Sequence, residues 1–383
     1  MPVPDRNSTV DTLRTAALIG ICVVNLPFMG LPQGAVLSAP DGLWNQAAAL
    51  FTGIFFEAKF FMLFSFLFGW GIEIQQRSAE RAGASAGRRY GRRLVMLALF
   101  GIAHAIFVFS GDILLLYALL GLLIWPFRRA RPGVLAAIAA GMVLVSCLSL
   151  IWLATLLPSG AVPLPSGPGL GGSYGEAVLA RLADWPETLV FLIILQGPLA
   201  FCAYAAGLAA AKTGFFEPGS PWRRHCAHAL PWLLMAGLPL NIAYGYVANG
   251  PGFGGNGLAD LASFVSLGLS APVLAAAYLC IIRLAFERPR LPEILVLAGR
   301  NSLSAYVLQG VIAGVLFGAY GLGLFGQLGH AALLPLSVGV ALAAMLAVGL
   351  FALLFGRGPL EVVLRRVTYG APARRSGGEG AKP

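Results

Sequence analysis

A chain of 383 residues with 58% hydrophobic and 11% charged side chains cannot cover itself with a polar surface in water, because soluble domains carry about 25% charge. Its apolar residues come in blocks long enough to cross about 30 Å of hydrocarbon as helices, and they lack the alternation of a β-barrel. The net charge of +10 does not point to a nucleic-acid partner, because the basic residues collect in the connections on one side of those blocks.

Helical spans are predicted, in chain order, at 15–31, 47–72, 94–109, 113–126, 133–156, 189–211, 227–247, 259–282, 301–318 and 331–355. The fold class is therefore all-α: a polytopic integral membrane helical bundle of about ten transmembrane helices, with both termini cytoplasmic. That orientation puts 24 of the 26 Lys and Arg on the cytoplasmic side, the exceptions being Lys59 in the second span and Arg181 in an outer loop. The basic excess sets orientation and meets anionic lipid headgroups, so membrane lipids are the first expected partner.

The first span opens with Asp11-Thr12-Leu13-Arg14 and carries Asn25 near mid-depth. It ends in Phe28-Met29-Gly30-Leu31-Pro32, which is no signal-cleavage pattern. The second span contains Phe56-Glu57-Ala58-Lys59-Phe60. A charge at mid-bilayer costs from about 3 to more than 10 kcal/mol, so each of these groups needs a partner, water or a task. On a continuous helix, residues two apart point about 200° apart, so Glu57 and Lys59 are expected to find partners on other helices. An interhelical ion pair and a role in a site both fit. The stretch from Gln75 to Arg93 holds six arginines against Glu80 and anchors the topology.

His104 lies on the third span, and Asp112 follows in a tight hairpin turn, Ser110-Gly111-Asp112, expected at the outer face. Histidine exchanges protons near neutral pH and a carboxylate orients it, so His104 with Glu57 or Asp112 is the acid/base candidate. A simple interhelical hydrogen bond is the alternative. The outer loop from Pro158 to Thr188 is expected to be irregular, either a lid or a plain cover, ending in Glu176, Asp184 and Glu187. His225 and His228 are placed at a cytoplasmic edge, and His330 at a solvated outer helix end. The ninth span opens with Gly299-Arg300-Asn301-Ser302, where Asn or Ser is expected to cap the helix, and continues through Tyr306 to Gln309. Asn25, Glu57, Lys59, His104 and Gln309 are expected to share one layer. Gly358-Pro359-Leu360-Glu361, Arg365 and Thr368-Tyr369 form an amphipathic stub after the last span, and residues 371–383 form a disordered tail. The five cysteines show neither disulfide nor metal-ligand spacing, and no metal is expected. Two GxGxxG matches, Gly167 to Gly172 and Gly321 to Gly326, read as turn glycines.

The ordered motifs resemble the YeiB family. They are Asp11-x-Leu13-Arg14, Val24-Asn25, Phe56-Glu57-x-Lys59-Phe60, Arg92-Arg93-Leu94, His104 and Gly111-Asp112, followed by Gly299-Arg300-x-Ser302 with Tyr306 and Gln309, and Gly358-Pro359-Leu360-Glu361 with Arg365. The resemblance implies an N-terminal transmembrane half at 1–211, the family's C-terminal domain of unknown function 418 at 212–370, and a tail at 371–383. It also implies a multi-pass protein of the bacterial inner (plasma) membrane. A more distant similarity is to transmembrane acyltransferases of the heparan-α-glucosaminide N-acetyltransferase type, carried by Asp11, Arg14, Asn25 and Trp44-Asn45. Here Thr15 stands where those enzymes have Gly, and the stretch from Leu26 to Leu43 lacks their histidine. The proton-transfer role then falls to His104.

This similarity implies an acyltransferase moving an acyl group from cytoplasmic acyl-CoA to a hydroxyl or amine of a small-molecule, glycan or lipid acceptor on the other side. His104, oriented by Glu57 or Asp112, would be the base, and Asn25 or Lys59 would steady the oxyanion. Arg14, Arg92, Arg93, Arg300 and Arg365 would contact the phosphates of CoA. The alternative is a transporter of a small solute or lipid with a Glu57/Lys59/His104 relay. A homo-oligomer is compatible with either reading.

Overall fold

A computed structural model describes residues 8–36, 39–156, 170, 172–249, 257–285 and 291–370. The protein is a polytopic helical bundle, with no strand among the described residues. The helices are α1 (Ser8–Gly30), α2 (Gln33–Val36), α3 (Leu43–Phe55), α4 (Lys59–Arg81), α5 (Ala86–Phe107), α6 (Leu114–Ile124), α7 (Pro132–Leu156), α8 (Tyr174–Lys212), α9 (Trp222–Ala248), α10 (Gly257–Ala285), α11 (Glu293–Arg300), α12 (Ser302–Phe317), α13 (His330–Phe355) and α14 (Pro359–Tyr369). Among the described residues, eight segments are long and apolar enough to cross a membrane, with α3 and α4 together forming one of them, and α12 is a shorter apolar helix.

The predicted fourth span is the segment that departs most from a full crossing. Helix α6 has 11 residues, about 16 Å, roughly half the hydrocarbon thickness. A 3₁₀ helix, Trp125–Arg129, continues it without a break. Asp112, expected at the outer face, is only 2% exposed, so the turn is walled by other helices.

The second predicted span is not one continuous helix. Helix α3 ends at Phe55, Phe56 to Ala58 form a turn, and α4 starts at Lys59. Ala58 has φ 64°, a left-handed conformation that L-residues rarely take outside turns. Glu57 and Lys59 are therefore released from the angular separation that a continuous helix would impose.

The outer loop expected from Pro158 to Thr188 is helical from Tyr174 onward. A capping box between Ser173 and Glu176 starts α8 there, satisfying two otherwise orphaned N–H groups reciprocally. Asp184 and Glu187 lie on this helix. Arg181 also sits on it, 2% exposed, donating to the Phe107 carbonyl at 3.2 Å and the Tyr320 hydroxyl at 3.2 Å. Residues 158–169 and 171 of the expected lid, and the tail from 371, lie outside the described residues.

The start of α12 is held by α14. Asn301, expected as a cap, makes no side-chain cap bond to α12. Instead the Glu361 carboxylate accepts from the backbone N–H of Leu303 at 2.8 Å and of Ser304 at 3.1 Å, and from the Ser304 hydroxyl. Asn301 Oδ1 accepts from the Gly358 N–H at 2.7 Å. A carboxylate at a helix N-terminus meets both the free N–H groups and the positive end of the dipole. Glu361→Ala strips three donors of their partner and is expected to lower stability by about 2 kcal/mol or more. Thermal unfolding of the detergent-purified protein checks this, with Glu361→Gln expected to lose less.

Candidate functional site

His104 lies near the end of α5, and Asp112 precedes α6. The short turn between them folds the two side chains together, with His104 Nδ1 2.8 Å from Asp112 Oδ2. Both side chains are almost fully buried, at 2% and 1% exposure. Asp112 Oδ1 accepts from the backbone N–H of Leu114 at 2.7 Å and of Leu115 at 3.3 Å, which fixes the carboxylate at the start of α6. Tyr306 of α12 donates its hydroxyl to Asp112 Oδ2 at 3.3 Å. An ionised carboxylate only accepts, so Nδ1 is the donor in this pair, and in the neutral imidazole Nε2 is then the nitrogen with the lone pair.

Nε2 is buried and has no hydrogen-bond partner among the described residues. It rests against Gly310, where a Cβ would come within 2.7 Å of it. A cavity of about 20 Å³ adjoins it, lined by His104, Asn25, Gln309, Tyr306, Gly310 and Cys22 among others. That is room for about one water-sized group. Gln309 also donates to the Leu18 carbonyl at 3.2 Å, which ties this layer to α1.

A larger cleft of about 230 Å³ lies on the other side of Tyr306. Its apolar walls come from α1, α4, α5, α6 and α12, and include Leu18, Phe64, Phe68, Leu97 and Tyr117. Arg14, Arg93 and Arg300 line it as well. Asp11 pairs with Arg300 at 2.7 Å and with Arg14 at 3.6 Å. Arg93 lies over the Phe68 ring, 5.7 Å from its centroid, and no carboxylate comes within ion-pair distance of it among the described residues. Glu361, Gln75 and Ser302 also line the cleft, so three guanidinium groups face the carboxylates of Asp11 and Glu361 and leave a single net positive charge.

The predicted site residues therefore divide. His104, Asp112 and Asn25 come together, with Gln309 beside them. Glu57 and Lys59 stand elsewhere. Glu57 sits against the Tyr244 hydroxyl and within electrostatic reach of Lys59. The Lys59 ammonium is completely buried, donates to the Gly53 carbonyl at 2.7 Å and lies 5.6 Å from the Tyr244 ring centroid. Among the described residues no hydrogen bond or ion pair joins this group to His104, and neither Glu57 nor Lys59 lines the cavity beside Nε2. Of the two carboxylates expected to orient His104, Asp112 does so and Glu57 does not, because the helix break turns Glu57 and Lys59 toward Tyr244 of α9. Of the five expected phosphate contacts, Arg14, Arg93 and Arg300 line the cleft, whereas Arg92 and Arg365 are exposed and outside it. His225 and His228 are exposed and bond to carbonyls of their own helix turn. His330, expected to be solvated, has a buried Nε2.

Sequence reasoning misses the roles of Tyr306 and Glu361. Tyr306 has a signal: Ser302, Tyr306 and Gln309 recur at the spacing of one helical face, a polar stripe on an apolar helix. Glu361 has none, because its partners lie 57 residues away in sequence.

Residues 210–371 match the family described as "Protein of unknown function (DUF418)". The chain is 28% identical over 396 residues to "Uncharacterized protein YxaH" of Bacillus subtilis (strain 168), covering 95% of this chain and 94% of that one. It is 28% identical over 395 residues to "Uncharacterized protein YeiB" of Escherichia coli (strain K12), covering 96% and 97%. The chain is thus similar to the DUF418 family over residues 210–371, and to YxaH and YeiB over nearly its whole length. No solved structure matches it. The matched region begins at the end of α8 and contributes Arg300, Tyr306, Gln309 and Glu361. His104, Asp112, Arg14 and Arg93 precede it, so the site is assembled from both parts of the chain.

Proposed function

We propose that this chain is a membrane-embedded acyltransferase that takes an acyl group from acyl-CoA at the cytoplasmic face of the cell membrane. One observation carries the reading: a buried histidine with a carboxylate partner and a free Nε2 lies behind an apolar cleft lined at one end by arginines. The cleft volume falls below the roughly 300–1,000 Å³ of pockets that engulf a whole drug-sized ligand. It suits a slim chain, so the pantetheine arm enters while the nucleotide stays outside with its phosphates on the arginines. His104 Nε2 removes the proton of an acceptor hydroxyl or amine. The freed oxygen or nitrogen attacks the thioester carbon, the C–S bond breaks, and the departing CoA sulfur takes the proton back from His104. Asn25 stands on the same small cavity and is the group for the oxyanion.

The test uses the full chain in proteoliposomes with acetyl-CoA and measures binding and free thiol. Arg93→Gln is expected to weaken CoA binding about tenfold, the worth of one charge-assisted contact. Arg92→Gln and Arg365→Gln, outside the cleft, are expected to change it less than about twofold. Equal effects at all five arginines would mean non-specific attraction and would remove the cleft from the reading.

Transport of a small solute or lipid is the second reading, and the break at Phe56 to Ala58 beside Glu57 and Lys59 favours it, since interrupted helices carrying ionisable groups are a transporter feature. Solute flux without acyl-CoA, and no thiol release with it, would replace the first reading by the second.

A further inference from the structure

Among the cavities lined by described residues, the arginine-ended cleft and the His104 cavity have one wall residue in common, Tyr306. Its ring centroid lies 5.0 Å from that of His104. Its hydroxyl rests on the same Asp112 oxygen that receives His104 Nδ1. The side chain is 6% exposed, so protein atoms hold it in place on nearly every side. With Tyr306 as placed, a thioester in the cleft is screened from the histidine that would act on its acceptor.

We infer that Tyr306 is a movable partition between the donor cleft and the His104 cavity, latched shut by its hydrogen bond to Asp112. The chemistry of this inference rests on the acyltransferase reading, but its geometry does not. Swinging the phenol ring aside joins the two spaces and releases one donor from Asp112. The closed arrangement also answers a hazard of the proposed reaction. A base with a free lone pair, beside a cavity for one water, would promote attack of water on the thioester carbon. That would give a carboxylic acid and CoA thiol and waste the donor. The partition keeps the two apart until an acceptor occupies the small cavity. Because the cavity has room for only one such group, it selects the reacting hydroxyl or amine rather than the body of the acceptor.

The small cavity contains its own reporter. Cys22 of α1 lines it and is 3% exposed. The other four cysteines, Cys147, Cys202, Cys226 and Cys280, are replaced by alanine, and the full chain is placed in vesicles. N-ethylmaleimide is the probe, and a Cys22→Ala control defines background. Tyr306→Ala is expected to label at Cys22 at least about tenfold faster than the parent, and saturating CoA is expected to slow that labelling because the route passes through the cleft. Tyr306→Phe keeps the ring and loses the latch, so its rate should fall between the two. If Tyr306→Ala is not monodisperse after purification, Tyr306→Leu replaces it.

Labelling of the alanine variant at the parent rate overturns the partition. A Tyr306→Phe rate equal to that of the parent overturns the latch. The enzyme reading is separated by a second measurement, thiol release from acetyl-CoA without acceptor. The opened variant is expected to hydrolyse acetyl-CoA at least about tenfold faster than the parent. Faster Cys22 labelling with no rise in hydrolysis would keep the partition and count against the acyltransferase.

Discussion

Replacing His104 with alanine is expected to lower acyl transfer by about a hundred- to a thousand-fold, while the protein remains inserted and monodisperse. The magnitude is that of losing a positioned general base. The expectation is sharp because the surroundings leave the imidazole one free function. Its Nδ1 is engaged by Asp112, the far oxygen of that carboxylate is fixed by two backbone N–H groups of α6, and Nε2 has no partner among the described residues. A histidine kept only to join helices would be expected to use both nitrogens. Asp112→Asn keeps the shape but offers Nδ1 an amide in place of a carboxylate, so transfer should fall by about tenfold or more as the imidazolium loses its counter-charge. Thiol release from acetyl-CoA with and without a candidate acceptor checks both variants. Unchanged turnover in the alanine variant would exclude His104 from the chemistry.

Gly69→Val and Gly207→Val are expected to prevent formation of a folded bundle. The crossing of α4 and α8 is reciprocal. A Cβ on Gly69 would stand 2.0 Å from the Tyr204 carbonyl oxygen, and a Cβ on Gly207 would stand 2.0 Å from that of Phe66. Both obstacles are backbone, so no rotamer change relieves the overlap and the helices must part. Helices in lipid gain little from apolar burial alone and depend on such close approach. Separating them here also disturbs Tyr204, whose hydroxyl donates to the Tyr117 carbonyl at 3.0 Å, and with it the aromatic wall of the cleft. A cost of about 3 kcal/mol or more follows from overpacking of this severity. Gly91→Ala and Gly141→Ala are the matched controls, because a Cβ at either position meets nothing within 4 Å. Those two should be neutral or slightly stabilising, by up to about 1 kcal/mol. Gel-filtration profiles and thermal unfolding of the purified variants distinguish the two classes.

The candidate site is partly legible in the amino-acid sequence. His104 and Asp112 suggest a pair because a histidine and a carboxylate inside an apolar chain each demand a partner, and eight residues allow a hairpin to supply it. Three of the five arginines expected at the phosphates do line the cleft. Glu57 and Lys59 find other surroundings than expected because the helix that carries them is broken. Phe56-Glu57-Ala58-Lys59 has no glycine or proline to announce the turn, and Ala58 takes its left-handed conformation only because the packed neighbours impose it. Arg181 reads as a loop residue because the acidic and proline-bearing stretch around it is polar, yet Ser173 and Glu176 start a helix well before it.

Composition and hydropathy by themselves determined that this is a multi-span helical membrane protein, because a chain so poor in charge has no other way to satisfy its backbone in lipid. They also determined which ionisable groups would be costly enough to require a partner. Which partner each one takes was decided by the tertiary structure alone. Depth along a helix can be counted from sequence, but the direction a side chain faces depends on breaks, half-length helices and crossing angles that arise only when the helices pack. The half-length α6 brings Asp112 to His104, α14 reaches back to cap α12, and a glycine crossing positions Tyr204 against Tyr117 in the cleft wall. Each is a contact between distant segments, whose local sequence has no energetic reason of its own to specify it.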